Sequence, residues 1–192
     1  VIRARNNTHA AKRRYSLQKL ATLLFPPPSE TLPKLHADAL SAMFKFVVRT
    51  LVDALHDPSE TCREIALSVL LKYTECSPEV VTTVVQGKTK TKTIYNPDLI
   101  KGRNDVVELF EYIFPAVLPR ISNNKKEDRE PVEEIRVQII QFVTLLIKIG
   151  GQNVYRYMDE LRDFLVTCYQ DKFSAIKIES CTCSIALCEA IP

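Results

Sequence analysis

Three seven-residue segments align without a gap, and they constrain the fold more than any other feature of the chain. They are Asp57-Pro58-Ser59-Glu60-Thr61-Cys62-Arg63, Glu130-Pro131-Val132-Glu133-Glu134-Ile135-Arg136 and Asp171-Lys172-Phe173-Ser174-Ala175-Ile176-Lys177. Each opens on an acid and closes on a base six positions later. Each is followed by a run with apolar residues three and four apart, as in Ala66, Leu67, Leu70, Leu71 and in Ile139, Ile140, Val143, Leu146, Ile147. That spacing is the signature of one face of a helix. Amphipathic runs at 36–56, 105–121 and 154–169 precede the three segments. The unit is therefore helix, tight turn, helix.

The turn chemistry has a physical reason. Free N–H groups at the start of a helix need acceptors, which the acid or the following Ser can supply. Proline fits the first helical turn, where its missing N–H costs nothing. An acid and a base that recur once per unit meet those of the neighbouring units when the units stack. We therefore expect a structural ladder of Asp57, Arg63, Glu130, Arg136, Asp171 and Lys177. The direct use of Arg63, Arg136 and Lys177 in partner contacts is the competing reading.

Self-similarity of this kind marks an all-α fold, a HEAT-repeat α-solenoid of stacked antiparallel helix pairs. Glu130 and Asp171 lie 41 residues apart, close to the ~40–47 of a HEAT unit. Asp57 and Glu130 lie 73 apart, so an insertion separates the first two units. The expected divisions of the single array over 1–192 are a second helix at 8–25, a repeat at 32–76, the insertion at 77–104, and repeats at 105–149 and 154–191. Leu17, Leu20, Ala21 and Leu24 form the stripe of the first helix, and Pro26-Pro27-Pro28 stops it. We expect its partner helix to precede it in a longer protein, and further repeats to follow Pro192.

Within the insertion, Ser77-Pro78 is expected to cap a short helical segment. The Lys-Thr alternation from 88 to 93 has no apolar face and reads as a mobile loop or a short exposed ribbon. Tyr95-Asn96-Pro97 and Lys101-Gly102-Arg103-Asn104 are turn signals. Asn123 to Glu130 reads as a charged, solvated loop, and Gly150-Gly151 as a helix terminator. Only four glycines stand against eleven prolines, which favours helices joined by proline-marked turns.

Composition excludes several classes. Hydrophobic residues make up 46% of the 192 residues, enough for a packed core. The longest apolar run is short and interrupted, so no membrane span is expected. The net charge of +3 does not by itself call for nucleic acid. Residues 1–20 carry Arg3, Arg5, Lys12, Arg13, Arg14 and Lys19 without an acid; they read as a solvated helix face, with contact to an acidic partner as the alternative.

No chemistry emerges. His9, His36 and His56 are scattered, and no phosphate loop, nucleophile elbow or zinc spacing occurs. Cys181-Thr182-Cys183 looks like a metal pair, but residues two apart on a helix point in different directions. The six cysteines read as reduced, buried or half-buried thiols of a cytosolic protein. Asp128, Glu130, Glu133 and Glu134 read as helix-start acids rather than an acid–base pair. No catalytic residue, cofactor or metal is expected. The candidate partner face is the outer side of the second helices: Glu64, Ser68 and Lys72 in one unit, Gln141 and Lys148 in the next.

Leu55-His56-Asp57-Pro58-Ser59-Glu60-Thr61-Cys62-Arg63-Glu64-Ile65-Ala66, Glu133-Glu134-Ile135-Arg136-Val137-Gln138-Ile139-Ile140-Gln141 and Glu179-Ser180-Cys181-Thr182-Cys183-Ser184 with Ile185-Ala186-Leu187 resemble one family. It is that of the HEAT-repeat axonemal dynein assembly factors, in their N-terminal part, and the likeness covers most of 10–192. The resemblance implies a cytoplasmic, non-enzymatic scaffold. Such a factor works with chaperones and other assembly factors on outer and inner dynein arm chains before their transport into motile cilia. The alternatives are a HEAT-type transport or phosphatase scaffold and, from another class, a nucleic-acid-binding HEAT-like protein. The first would favour acidic inner helices or tandem aromatic pockets, and the second a basic groove with stacking aromatics. Neither is evident, so nucleic acid is not an expected partner.

Overall fold

A computed structural model describes residues 2–25, 37–75, 80–85, 88–93, 104–122 and 129–191, with backbone alone at 2–8, 37–41, 80–85, 88–93 and 104–109. Its helices are α1 (Ile2–Leu24), α2 (Ala37–Ala54), α3 (Glu60–Glu75), α4 (Asn104–Val117), α5 (Glu133–Gly150), α6 (Met158–Tyr169) and α7 (Ser174–Ala190). Short 3-10 turns at Leu118–Arg120 and Gly151–Tyr157 follow α4 and lead into α6.

The helices form two layers. In one, α1 packs on α3, α3 on α5 and α5 on α7; in the other, α2 packs on α4, and the 3-10 turn after α4 touches α6. Within each hairpin α2 meets α3, α4 meets α5 and α6 meets α7. This is an all-α solenoid, and the apolar stripes read from the sequence are what glue it. Ile139, Ile140, Val143, Leu146 and Ile147 of α5 are all buried, as are Ala66, Leu67 and Leu70 of α3. Phe44 of α2 stacks on Tyr73 of α3 with ring centroids 3.5 Å apart. Phe110 and Phe114 of α4 stack at 4.6 Å and meet Tyr157 edge-on.

Elements differ from expectation in several places. The first helix begins at Ile2, not at residue 8. The helical segment expected after Ser77-Pro78 is instead a strand, β1 (Val80–Val85), antiparallel to β2 (Lys88–Thr93) with Val80 opposite Thr93 and Val85 opposite Lys88. The reason is local: a run of six Val and Thr is stiff at χ1 and favours a pleated backbone over a helix. The Lys-Thr stretch is thus the second strand of a hairpin arm. Pro26-Pro27-Pro28, Ser77-Pro78, Tyr95-Asn96-Pro97, Lys101-Gly102-Arg103 and residues 123–128 lie outside the described residues. The end of the 123–130 stretch is not solvated, because Glu130 is buried. Gly150 closes α5, and Gly151, the first residue of the 3-10 turn, takes a positive φ of 50°.

One helical run, within Glu133–Tyr169, is apolar enough to cross a bilayer by length and composition, contrary to the sequence reading. Half of that window is buried inside the protein, and its hydropathy comes from the core residues of α5.

Candidate functional site: the ion-pair ladder and the outer face of the second helices

The three aligned turns share one geometry. In each, the acid accepts the backbone N–H two residues on. Asp57 takes that of Ser59 at 2.8 Å, Glu130 that of Val132 at 3.1 Å, and Asp171 that of Phe173 at 3.1 Å. The acid therefore folds the turn ahead of the helix rather than capping it. Val132 and Phe173, at the helix starts, make no side-chain cap. Pro58 and Pro131 precede the first residues of α3 and α5, Glu60 and Glu133, by two residues, outside the first turn.

Each turn is also tied to its neighbour. Arg63 donates from Nε and Nη2 to the two carboxylate oxygens of Glu130 at 2.7 and 2.8 Å. Its Nη1 donates to the carbonyls of Asp57 and Pro58 in its own turn, at 2.9 and 3.4 Å. Arg136 repeats this one unit on. Its Nη1 donates to the carbonyls of Glu130 and Pro131 at 3.1 and 2.9 Å, and its Nε lies 3.3 Å from Asp171 Oδ2. The base of one unit thus clamps its own turn and the acid of the next.

Two further arginines complete the rungs. Arg120 Nη2 donates to Glu130 Oε2 at 2.7 Å, and Arg129 Nη2 to Asp171 Oδ2 at 3.0 Å. The first rung is made by Arg13 of α1, whose Nε and Nη2 donate to Asp57 at 2.6 and 3.0 Å. The sequence reading placed Arg13 on a solvated face, and the structure corrects this. The ladder register did not point to it, because Arg13 precedes Asp57 by 44 residues, whereas Arg136 precedes Asp171 by 35. Lys177, at the matching position of the last unit, is exposed and makes no ion pair among the described residues.

Burial works on the carboxylates in two directions. For Asp57, loss of water raises the pKa, but hydrogen bonds from Arg13 and the Ser59 N–H overcome it and hold the group below the usual carboxylate value. Glu130 is likewise held low, with Arg63, the Val132 N–H and Arg120 outweighing its desolvation. Such groups stay ionised at neutral pH. Glu130 accepts four donated bonds and Asp57 three, so both are largely occupied in holding the turns and rungs together.

The cysteines divide. Cys62, Cys168 and Cys183 are buried, and Cys181 and Cys188 are exposed, which corrects the expectation for the latter two. Burial pushes the Cys168 thiol up to about 12 and that of Cys183 to about 11. No group of three or more metal-binding side chains occurs among the described residues.

The candidate partner residues lie on the second-helix layer. Glu64, Lys72, Gln141 and Lys148 are exposed and Ser68 is half-buried. Glu64, Ser68 and Lys72 line one groove between α3 and α1. Gln141 and Lys148 stand on α5, apart from that groove, and Gln141 Nε2 donates to Glu179 of α7 at 3.4 Å.

Against known proteins, the family described as "Dynein axonemal assembly factor 5-like, TPR repeats" matches residues 88–192, more than half of the chain. The 41-residue step from Glu130 to Asp171 is longer than a 34-residue TPR unit and closer to a HEAT unit. Among similar proteins, the dynein axonemal assembly factor 5 of Xenopus laevis is 24% identical over 159 residues, 83% of this chain and 16% of that protein. Those of Mus musculus and Homo sapiens are each 29% identical over 82 residues, 42% of this chain and 10% of theirs. The chain thus spans a minor part of the length of the relatives it matches.

Proposed function

Because the chain belongs to the dynein axonemal assembly factor 5-like family, we propose that it is part of a non-catalytic, protein-binding scaffold for cytoplasmic preassembly of axonemal dynein arms, outer and inner, in motile ciliated cells. Its partners on this reading are dynein chains and other assembly factors or chaperones, with no membrane and no cofactor involved. The family match over 88–192 carries the proposal, and the names of the relatives support it.

The geometry supports it from another side. The buried charges of the ladder are consumed in holding units together, which leaves binding to the exposed residues. On this reading Glu64, Ser68, Lys72, Gln141 and Lys148 form the partner face, while Asp57, Arg63, Glu130, Arg136 and Asp171 serve the stack. A solenoid offers such a surface over several units and adapts it by small changes in curvature.

The test is an affinity pull-down of the full-length protein from cells building motile cilia, followed by mass spectrometry. Enrichment of axonemal dynein chains and their chaperones is the expected result. Recovery of transport, phosphatase or chromatin components instead removes the assembly reading and leaves the solenoid.

A further inference from the structure

The seams between successive second helices are not alike. Matched by their turns, Ser68 of α3 and Gln141 of α5 occupy equivalent positions. At the α5–α7 seam Gln141 bridges to Glu179 with an exposed bond of 3.4 Å. At the α1–α3 seam no side-chain bond joins the lining residues among those described, and a groove of about 510 Å³ lies open. Sites that hold a small ligand run to about 300–1,000 Å³.

The floor of the groove is apolar: Ala21 of α1 and Phe25 just past its end, Ile65 and Val69 from α3. Its α3 rim carries Glu64 and Lys72, both exposed and neither ion-paired among the described residues. They stand two helical turns apart, about 12 Å along the axis at ~1.5 Å per residue. Thr22 on the opposite rim is satisfied internally, its hydroxyl donating to the Gln18 carbonyl.

An apolar floor between two fixed charges of opposite sign specifies an occupant. A uniformly charged ligand, whether nucleic acid or an acidic tail, is repelled at one end of the groove. An extended peptide finds no free backbone groups, because both walls are helices whose N–H and C=O groups are already paired. A helix satisfies its own backbone and lays a ridge of side chains into such a furrow. We propose that the α1–α3 groove receives an amphipathic helix of a partner protein. That helix carries an apolar anchor over Ile65 and Val69, with opposite charges one turn to either side to meet Glu64 and Lys72. The proposal rests on the scaffold reading above and names the partner chemistry of one part of its face.

Labelled helical peptides of about 18 residues, long enough for marginal helicity in water, test this by fluorescence anisotropy with the full-length protein. Three peptides share a Leu anchor and differ in the flanking pair: Lys and Glu, two Glu, or two Lys. The native groove is expected to bind the mixed peptide about threefold more tightly than either other, the scale of one exposed charge pair each. Glu64→Lys is expected to move the preference to the two-Glu peptide, and Glu160→Lys, exposed on α6 and outside the groove, to leave it unchanged. Absence of binding by all three overturns the proposal, as does a preference that Glu64→Lys does not move. Dynein chains that still co-purify in that case keep the scaffold function and remove only this groove.

Discussion

Arg63 reaches across 67 positions of sequence to clamp Glu130 with two parallel bonds of 2.7 and 2.8 Å, its side chain 8% exposed and that of its partner 1%. The bidentate fork is the strong form of a charge-assisted hydrogen bond, and its burial makes the pair sensitive to the loss of either member. Arg63→Ala leaves a buried carboxylate with Arg120 as its remaining charged donor and two turn carbonyls without theirs. Breaking one side of such a pair costs about 3 kcal/mol or more, a fall in Tm of about 6–12 °C for a chain of this size. A thermal scan checks it, and an unchanged Tm removes the ladder as a source of stability. Arg63→Lys is expected to recover only part of the loss, because an ammonium cannot fork across two oxygens.

Acid should loosen the stack through the same groups. Asp57 and Glu130 have folded-state pKa values below their ordinary 3.8 and 4.5, so the unfolded chain binds protons more readily than the folded one. The stability they provide is fully present above those ordinary values and is lost as pH falls through the folded ones. Tm measured from pH 7 to pH 3 is expected to hold steady to about pH 5 and then fall. Glu130→Gln should start lower and fall less steeply over that range.

Thiol chemistry should sort by burial. Iodoacetamide at pH 8 is expected to modify Cys181 and Cys188 in the native protein. Cys62 lies buried, and Cys168 and Cys183 are both buried and raised to about 12 and about 11. These three should react only after denaturation, because the thiolate is the nucleophile. Peptide mapping of native labelling at Cys168 or Cys183 would contradict the packing of α6 against α7.

Gly150 is a test of close approach. A Cβ there would lie 2.5 Å from the Phe110 ring, which is itself held by Phe114 and Tyr157. Overpacking of this kind costs about 1–3 kcal/mol, against a gain of at most about 1 kcal/mol from the better helix propensity of Ala. Gly150→Ala should therefore lower the urea midpoint, and a raised midpoint would mean that the ring moves freely.

The repeat was legible because its signal is local and periodic. An acid, a base six residues on and a 3.6-residue apolar stripe can all be found without knowing what touches what. The two layers and the core of α3 and α5 followed from it. The first strand of the hairpin was missed because Val80–Val85 was read as a short helical segment capped by Ser77-Pro78 rather than as a β-branched run, whereas a short exposed ribbon was one of the two readings of its partner, Lys88–Thr93. Arg13 was missed for a different reason: its acid lies in another unit, and the segment before it lacks the turn that made the other bases recognisable. Arg120 and Arg129 carry no sequence register at all. They are drawn to Glu130 and Asp171 by the path of the chain between units. Of the outer face, the sequence yielded register but not depth, so the groove beside Glu64 and Lys72 emerged only when α1 was set against α3.

The rungs all lie where the hairpins turn, at the N-terminal ends of α3, α5 and α7. The other ends of the second helices carry no comparable buried ion pair among the described residues. Leaves bound along a spine open at the fore-edge, and a stack fastened in this way changes its curvature by fanning rather than by sliding. The β1–β2 arm leaves the stack just past the far end of α3, at that loose margin. Extra chain can be accommodated there without parting a single rung.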